Sequence, residues 1–253
     1  MPTNHRSQRE SDEPHDRVGV VVGMAAEARI ARRLGWPVAV GGGTEPGARA
    51  AAERLLRQGA TAFVSFGLAG GLDPALRPGM LVIPETVLVG DQRIPADAGL
   101  MQRLGGATGH VVLGAARVAA TVAEKRNLHD RTGADAIDLE SGAVALAAQA
   151  AGIPFAVLRA ICDPAERTLP HAALIALDRQ GAIGAGRMSA SIIAHPRQVG
   201  ALLRLAADAA SARRALLRRV AALSGARSRW VEAITLCAAF ACRALVRADR
   251  RRS

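Results

Sequence analysis

The sequence has few of the residues that mark secreted and metal-binding proteins. Its 253 residues include three cysteines, one lysine and no tyrosine. Cys162, Cys237 and Cys242 form no even set and no CxxC pair, so a disulfide-stapled scaffold and a structural zinc site are not favoured. The six histidines lack HxxxH or HxH spacing, and we predict no metal site. We expect a cytoplasmic protein.

Long apolar runs are also missing. Residues 1–16 are polar and of mixed charge, which is not typical of a signal peptide, and we predict a disordered lead-in. Near the other end, Glu232 and Arg243 leave only ten uncharged residues between them, and a membrane span needs about 20. We therefore predict no transmembrane helix.

The net charge of +11 belongs almost entirely to one segment. Residues 197–253 contain 13 arginines and three acidic residues, a net charge of +10, which leaves +1 for the rest of the chain. Such a charge favours nucleic-acid or anionic-membrane binding when it covers a whole domain. Here arginine replaces lysine nearly everywhere in an alanine-rich chain, which indicates compositional bias, and we do not predict a nucleic-acid partner.

Half of the residues are apolar, and strand-like runs alternate with helical ones over residues 17–195. Hairpin signals such as Asn-Gly are absent. This pattern predicts one three-layer α/β domain with a central, mostly parallel or mixed sheet. The predicted strands are 18–22, 62–66, 80–83, 85–89, 110–113 and 155–161, and the predicted helices include 48–58 and 141–151.

Residues 196–253 predict a basic, amphipathic helical extension. Apolar residues recur there at steps of three and four with arginines between them, and Gly225 is expected to end the first helix. Three roles stay open on this pattern. The extension packs on its own domain, lies on a membrane surface with its apolar face down, or contacts another subunit.

Three stretches carry candidate chemistry at the predicted strand ends, where α/β sheets bind ligands. Glu27 lies in the opening turn of the first helix, residues 67–71 form a glycine-rich turn, and Glu140 precedes Asp163 by 23 residues. A carboxylate at the end of an apolar strand is costly to bury without a task or a partner, and Asp163 is the least explained by packing. Glu27 and Glu140 are also explained by the helix dipole alone.

Together these stretches resemble the purine nucleoside phosphorylase and nucleosidase superfamily, in particular the methylthioadenosine/S-adenosylhomocysteine nucleosidases. The similarity covers about residues 17–190 and rests on Gly-Met-Ala-Ala-Glu27, Gly67-Leu-Ala-Gly-Gly71, Asp-Leu-Glu140-Ser and Arg159-Ala-Ile-Cys-Asp163. Within the superfamily the chain looks most similar to hopanoid-associated phosphorylases, which remove adenine from adenosylhopane. The resemblance implies an enzyme without a cofactor, with phosphate as an optional co-substrate.

The resemblance also implies residue roles. Asp163 would be the general acid at adenine N7, and Glu27 would position and deprotonate the attacking water. Glu140, with Leu139 beside it, would bind the ribose hydroxyls, and Arg159 would hold that carboxylate. The floor of the site would be lined by Gly67, Ala69, Gly70 and Gly71.

Two departures favour a lipid-bearing nucleoside. Leu68 and Cys162 stand where the nucleosidases have serine, which makes the expected pocket more apolar. We therefore expect adenosylhopane as the substrate, with small adenine nucleosides as the alternative. A third possibility is an electrostatic adaptor driven by the basic extension. The superfamily also implies a homo-oligomer, and the extension allows a peripheral membrane contact.

Overall fold

The chain folds around a mixed β-sheet covered by helices. The computed structural model describes residues 17–170, residue 173 and residues 199–249, with the side chains of the last helix described as far as residue 225. The strands in this part are β1 (Val18–Val22), β2 (Val38–Val40), β3 (Ala62–Gly71), β4 (Leu81–Val82), β5 (Thr86–Val89), β6 (Gln92–Pro95), β7 (Val111–Gly114), β8 (Ala136–Asp138) and β9 (Phe155–Asp163). The helices are α1 (Ala25–Ala31), α2 (Glu45–Arg57), α3 (Ala98–Leu104), α4 (Val122–Thr132), α5 (Ser141–Ala151) and α6 (Val199–Asp249), and a 3₁₀ turn, Arg32–Leu34, follows α1.

Strand β3 is the centre of the sheet. Along its first half it pairs in parallel with β1 on one side, and along most of its length it pairs in parallel with β9 on the other. Its last two residues, Gly70 and Gly71, pair with β8 in antiparallel fashion. Strand β8 continues the sheet through β7 and β5 to β6, whereas β2 closes the other edge. This topology brings the carboxyl ends of β1, β3 and β9 close to β8.

Helices cover both faces of the sheet, as predicted for a three-layer α/β domain. Alternate residues of β1 point to opposite sides, because side chains along a strand alternate between its faces. Val20 and Val22 pack with residues of α1, α3 and α6, including Leu100 and Leu216. Val21 packs instead with residues of α2 and α5. The predicted fold class is confirmed.

Helix α6 is part of the core. Its buried residues lie at helical spacing, and they are Ala212, Ala215, Leu216 and Val220. All of these except Ala215 belong to the apolar cluster on the α1 and α3 face. The opposite side is exposed, with Leu203 66% accessible. The described half of the extension therefore packs on its own domain. The helix also runs on through Gly225, so the predicted stop there is wrong, since one glycine costs only about 1 kcal/mol in a helix.

Two local predictions need correction. Residues 67–71 do not form a turn but continue β3, because β9 and β8 extend far enough to pair with them; the register between β3 and β9 shifts by one residue between Ala69 and Gly70. Strands β5 and β6 form an antiparallel hairpin with Gly90-Asp91 as its turn. The sequence analysis did not predict this hairpin, because the chain has no Asn-Gly turn. The predicted lead-in, 1–16, lies outside the described residues. Among those described, no helix is long and apolar enough to cross a membrane.

Candidate active site

Arg159 is the hub of a buried charged cluster. It lies in the middle of β9 and is completely inaccessible to solvent. Its Nε lies 2.8 Å from Asp138 Oδ2, and its Nη2 lies 3.1 Å from Glu140 Oε2 and 2.7 Å from the Ser65 hydroxyl. Its Nη1 donates to the Leu68 carbonyl. All three guanidinium nitrogens are therefore engaged by the protein.

Asp138 fixes the start of α5. Its Oδ1 accepts hydrogen bonds from the Glu140 and Ser141 backbone N–H groups, at 3.0 and 2.7 Å. Its Oδ2 accepts the Ser141 hydroxyl and pairs with Arg159. The Asp138 carboxylate thus sets the position of Glu140, the N-cap residue of α5. Leu139 lies between the two carboxylates and is partly exposed.

Glu27 is held at the junction of β1 and β3. It occupies the first turn of α1, where its Oε2 accepts the Met24 N–H at 2.9 Å. Its Oε1 accepts the Leu68 N–H, also at 2.9 Å, which ties α1 to the middle of β3. The carboxylate is almost fully buried and faces the same space as Glu140 and Arg159.

Two glycines allow these charged groups to meet. A methyl group added at Gly67 would lie 2.5 Å from Arg159 Nη1 and 2.6 Å from Glu27 Oε1. A methyl group added at Gly23 would lie 2.5 Å from Glu140 Oε1. The other predicted residues of β3 differ. Ala69 packs in an apolar cluster. Gly70 lies beside Ile137 and Asp163, and Gly71 faces Ile161, Leu76 and Ala165.

Burial dominates the protonation of the cluster. It raises the pKa of the Glu140 carboxyl to about 7, against the lowering effect of Arg159, while Asp138 and Glu27 add to the increase. Burial likewise raises the pKa of Glu27, opposed by Arg159 and by hydrogen bonds from the backbone. A carboxyl group with a pKa of about 7, such as that of Glu140, can exchange protons near neutral pH, as acid–base catalysis requires.

Asp163 ends β9 and forms a second ion pair. Its Oδ2 lies 2.6 Å from Lys125 Nζ, and both side chains are buried. Its Oδ1 is buried without a hydrogen-bond partner in the described structure. Burial raises the pKa of the Asp163 carboxyl, while Lys125 and, more weakly, Arg167 lower it. The unpaired Oδ1 leaves one acceptor, or one acid proton, for a ligand.

Cys162 precedes this carboxylate and is not a reactive thiol. Burial raises the pKa of its thiol to about 12, and the neighbouring Asp163 carboxylate adds to that shift. A thiol with so high a pKa stays neutral, and neutral thiols are poor nucleophiles.

A separate cavity of about 520 Å³ lies between the residues that follow Asp163 and helix α6. Its wall includes two ion pairs, Arg77 with Glu166 and Arg167 with Asp208. It includes none of the carboxylates gathered around Arg159, so the charged cluster and the end of β9 remain the candidate active site.

The fold and the site together define a class of protein. A mixed sheet between helices, with carboxylates gathered at adjoining strand ends, is the arrangement that the sequence motifs predicted for nucleoside phosphorylases and nucleosidases. The chain belongs to the Phosphorylase superfamily, whose model matches residues 40–194. The predicted superfamily is confirmed. The resemblance to hopanoid-associated phosphorylases stays a prediction.

Solved structures share this fold at low sequence identity. Native futalosine hydrolase of Helicobacter pylori strain 26695 matches with a TM-score of 0.57 and 15% identity over 82% of this chain and 97% of its own. The 5'-methylthioadenosine/S-adenosylhomocysteine nucleosidase of Neisseria meningitidis, in complex with methylthio-immucillin-A, matches with a TM-score of 0.56 and 16% identity. The match covers 81% of this chain and 98% of the nucleosidase. S-adenosylhomocysteine nucleosidase from Streptococcus pyogenes matches with a TM-score of 0.54 and 20% identity, over 70% of this chain and 94% of its own. No curated protein sequence matches significantly.

Sequence reasoning missed the groups that support the predicted residues. It did not assign Asp138, Ser65 or Ser141, although all three contact Arg159. It also missed Lys125, whose partner Asp163 is 38 residues away along the chain. The one available signal was that Lys125 is the only lysine in a chain that otherwise uses arginine, and the two side chains are not interchangeable at specific contacts.

Proposed function

We propose that the protein cleaves the N-glycosidic bond of an adenine nucleoside by hydrolysis. The observation that carries this proposal is the pairing of two sites on β9. In the middle of β9, Arg159 pairs with Glu140 and interacts electrostatically with Glu27. At the end of the same strand, Asp163 has one oxygen without a hydrogen-bond partner in the described structure. Carboxyl groups on two sides of a sugar–base bond can assist departure of the base and attack by water.

Asp163 acts on the leaving group. When the C1′–N9 bond breaks, its electron pair moves onto adenine, and the proton on Asp163 Oδ1 moves to N7, so that the base leaves neutral. Burial favours the protonated form of Asp163 in the free enzyme. Glu140 accepts hydrogen bonds from the ribose hydroxyls and stabilises the positive charge that develops on the sugar.

Glu27 activates the nucleophile. Its carboxylate is held by two backbone N–H groups, which fix its orientation and leave its remaining lone pairs for a water molecule. Water attacks C1′ and transfers a proton to Glu27, and solvent exchange returns both carboxyl groups to their starting states.

The charge of the cluster supports water over phosphate. Within the described part of the chain, Arg159 is the cation paired with Asp138 and Glu140, and its remaining donors bind the Ser65 hydroxyl and the Leu68 carbonyl. A phosphate dianion beside Asp138, Glu140 and Glu27 would meet like charges without a free guanidinium in this cluster. We infer that phosphate does not accelerate the reaction.

Replacing the acid tests the assignment. Asp163→Asn keeps the shape of the side chain but removes the proton, so we expect adenine release to fall by roughly 10²–10⁴-fold. Initial rates with 5′-methylthioadenosine measure the effect, and circular dichroism checks that the variant is folded. A folded variant with near-wild-type turnover would contradict the role of Asp163.

The substrate that we propose is adenosylhopane, which would yield ribosylhopane. Leu68, which stands where the resembled nucleosidases have serine, contributes its backbone to the Glu27 and Arg159 network, and its partly buried side chain packs against the adjacent apolar cluster. Small adenine nucleosides are the second candidate, because the structural neighbours include methylthioadenosine and S-adenosylhomocysteine nucleosidases. Direct competition between adenosylhopane and 5′-methylthioadenosine separates the two, because the true substrate has the larger kcat/KM.

We further propose a cytoplasmic homo-oligomer with peripheral membrane contact. The buried apolar residues of α6 face their own domain, whereas Val199 and Leu203 on the same helix are exposed, and the net charge of +10 on residues 197–253 favours an anionic surface. Flotation with anionic vesicles tests this contact, and light scattering after gel filtration tests the assembly.

A further inference from the structure

The strongest feature that the proposed chemistry does not use is the buried side chain of Lys125. It is the only buried residue of α4, a helix whose other side chains are exposed or partly exposed. A lysine buried to this extent is rare unless it is paired, because removing an ammonium group from water costs several kcal/mol. Its position therefore calls for a specific partner.

All three ammonium protons of Lys125 are used. Nζ donates to Asp163 Oδ2 at 2.6 Å, to the Pro164 carbonyl at 2.9 Å and to the Arg167 carbonyl at 2.8 Å. The two carbonyls belong to the segment that directly follows Asp163. Three donors in fixed directions hold both the carboxyl group and the chain that carries it.

The two carboxyl oxygens of Asp163 have different hydrogen-bond environments. Oδ2 is committed to Lys125, whereas Oδ1 has no partner in the described structure. We propose that Lys125 is the positioning residue of Asp163. It fixes which oxygen faces the base, and its positive charge stabilises the carboxylate that remains after the proton has moved to adenine N7. This inference rests on the proposed function.

The step balances without a change at lysine. Before the reaction Asp163 carries the proton on Oδ1; afterwards adenine N7 carries it, and Asp163 and Lys125 form a carboxylate–ammonium pair. Lys125 keeps its three protons throughout. The other charged group near Asp163 is Arg167, on the following loop, and the titratable neighbour on β9 is Cys162.

The test compares two leaving groups. Adenine needs a proton to leave, whereas 4-nitrophenolate leaves as an anion. For Lys125→Met and Lys125→Gln we expect kcat/KM with 5′-methylthioadenosine to fall about 100-fold. With 4-nitrophenyl β-D-ribofuranoside the loss should be at least about tenfold smaller. Lys125→Gln retains two donors for the carbonyls, which preserves the local chain. Arg126→Met, an exposed neighbour on the same helix, is the matched control.

A pH profile gives the second readout. Activity requires protonated Asp163 and so falls as pH rises through its pKa. Loss of the Lys125 charge raises that pKa, so the descending limb of kcat/KM should move to higher pH in both lysine variants and stay in place in Arg126→Met. If the lysine variants lost kcat/KM equally on both substrates and the descending limb of the pH profile did not move, the inference about Lys125 would be overturned while the proposed function would stand. A wild-type enzyme that releases neither adenine nor nitrophenolate would overturn the proposed function and this inference with it.

Discussion

At the scale of single residues, Glu140 links the site to the stability of the fold. Its pKa is about 7 in the folded protein and 4.5 for a free side chain, so the folded state binds more protons between these values. The free energy of unfolding contributed by Glu140 is therefore fully present below about pH 4.5 and is lost as pH rises to about 7. Burial raises the pKa of Glu27 and Asp163 as well, which adds a contribution of the same sign.

Glu140→Gln should reduce this pH dependence. Urea unfolding at about pH 5 and about pH 7 should show a smaller loss of stability in the variant than in the wild type, because glutamine binds no proton. Glu53→Gln, at an exposed position of α2, is the control and should keep the wild-type slope. An identical slope in Glu140→Gln would show that Glu140 is not protonated differently in the folded and unfolded states.

Gly67 tests the close approach of charged groups to β3. The methyl group of Gly67→Ala would meet Arg159 and Glu27 at 2.5 and 2.6 Å, so the cluster must shift. We expect a loss of about 1–3 kcal/mol in the free energy of unfolding, as for other overpacked sites, together with reduced activity. The same change at Gly71, whose added methyl has its nearest neighbour at 3.5 Å, should be far milder. Comparable losses at both positions would refute the argument.

The residues that we propose to act on substrate were easier to identify from the sequence than those that contact them. Glu27, Glu140 and Asp163 lie within short motifs at strand ends, where chemistry-bearing residues stand out from apolar neighbours. Lys125 lies on a helix with no such contrast, and its proposed role depends on a contact with Asp163 that only the folded chain creates. Local pattern carries no information about such distant pairs.

At the scale of elements, helix α6 tests whether the basic extension belongs to the domain. Leu216 is fully buried against the sheet, whereas Leu203 on the same helix is 66% exposed. Leu216→Ala should lower the free energy of unfolding by about 2–5 kcal/mol. Leu203→Ala should change it by less than about 0.5 kcal/mol. Denaturant titration measures both, and a negligible effect at Leu216 would mean that α6 does not pack on the domain in solution.

Elements with strong local signals were predicted well. Strand β1 and helix α5 have the predicted bounds, because an apolar β-branched run and an alanine-rich run before Gly152 are locally unambiguous. The predicted turn at residues 67–71 was wrong. Glycines favour turns locally, but here they extend β3 between two partner strands. Strand β6 has no apolar run of its own and exists through its pairing with β5.

At the scale of the whole molecule, the net charge and the chemistry occupy different parts. The extension carries +10, yet its described half uses its apolar face to complete the core and exposes Arg204, Arg213, Arg214 and Arg218. The site needs little net charge, because Arg159 is balanced by carboxylates. The overall charge of +11 is therefore not a guide to the reaction.

The central claim is that this arrangement of carboxyl groups releases adenine by attack of water. The most direct test is mass spectrometry of the products from 5′-methylthioadenosine and adenosylhopane in ¹⁸O-labelled water, with and without phosphate. We predict free adenine and a sugar that carries one ¹⁸O at C1′, with no phosphate in the product under either condition. Absence of adenine from both substrates with folded protein, or a phosphorylated sugar as the main product, would contradict the account.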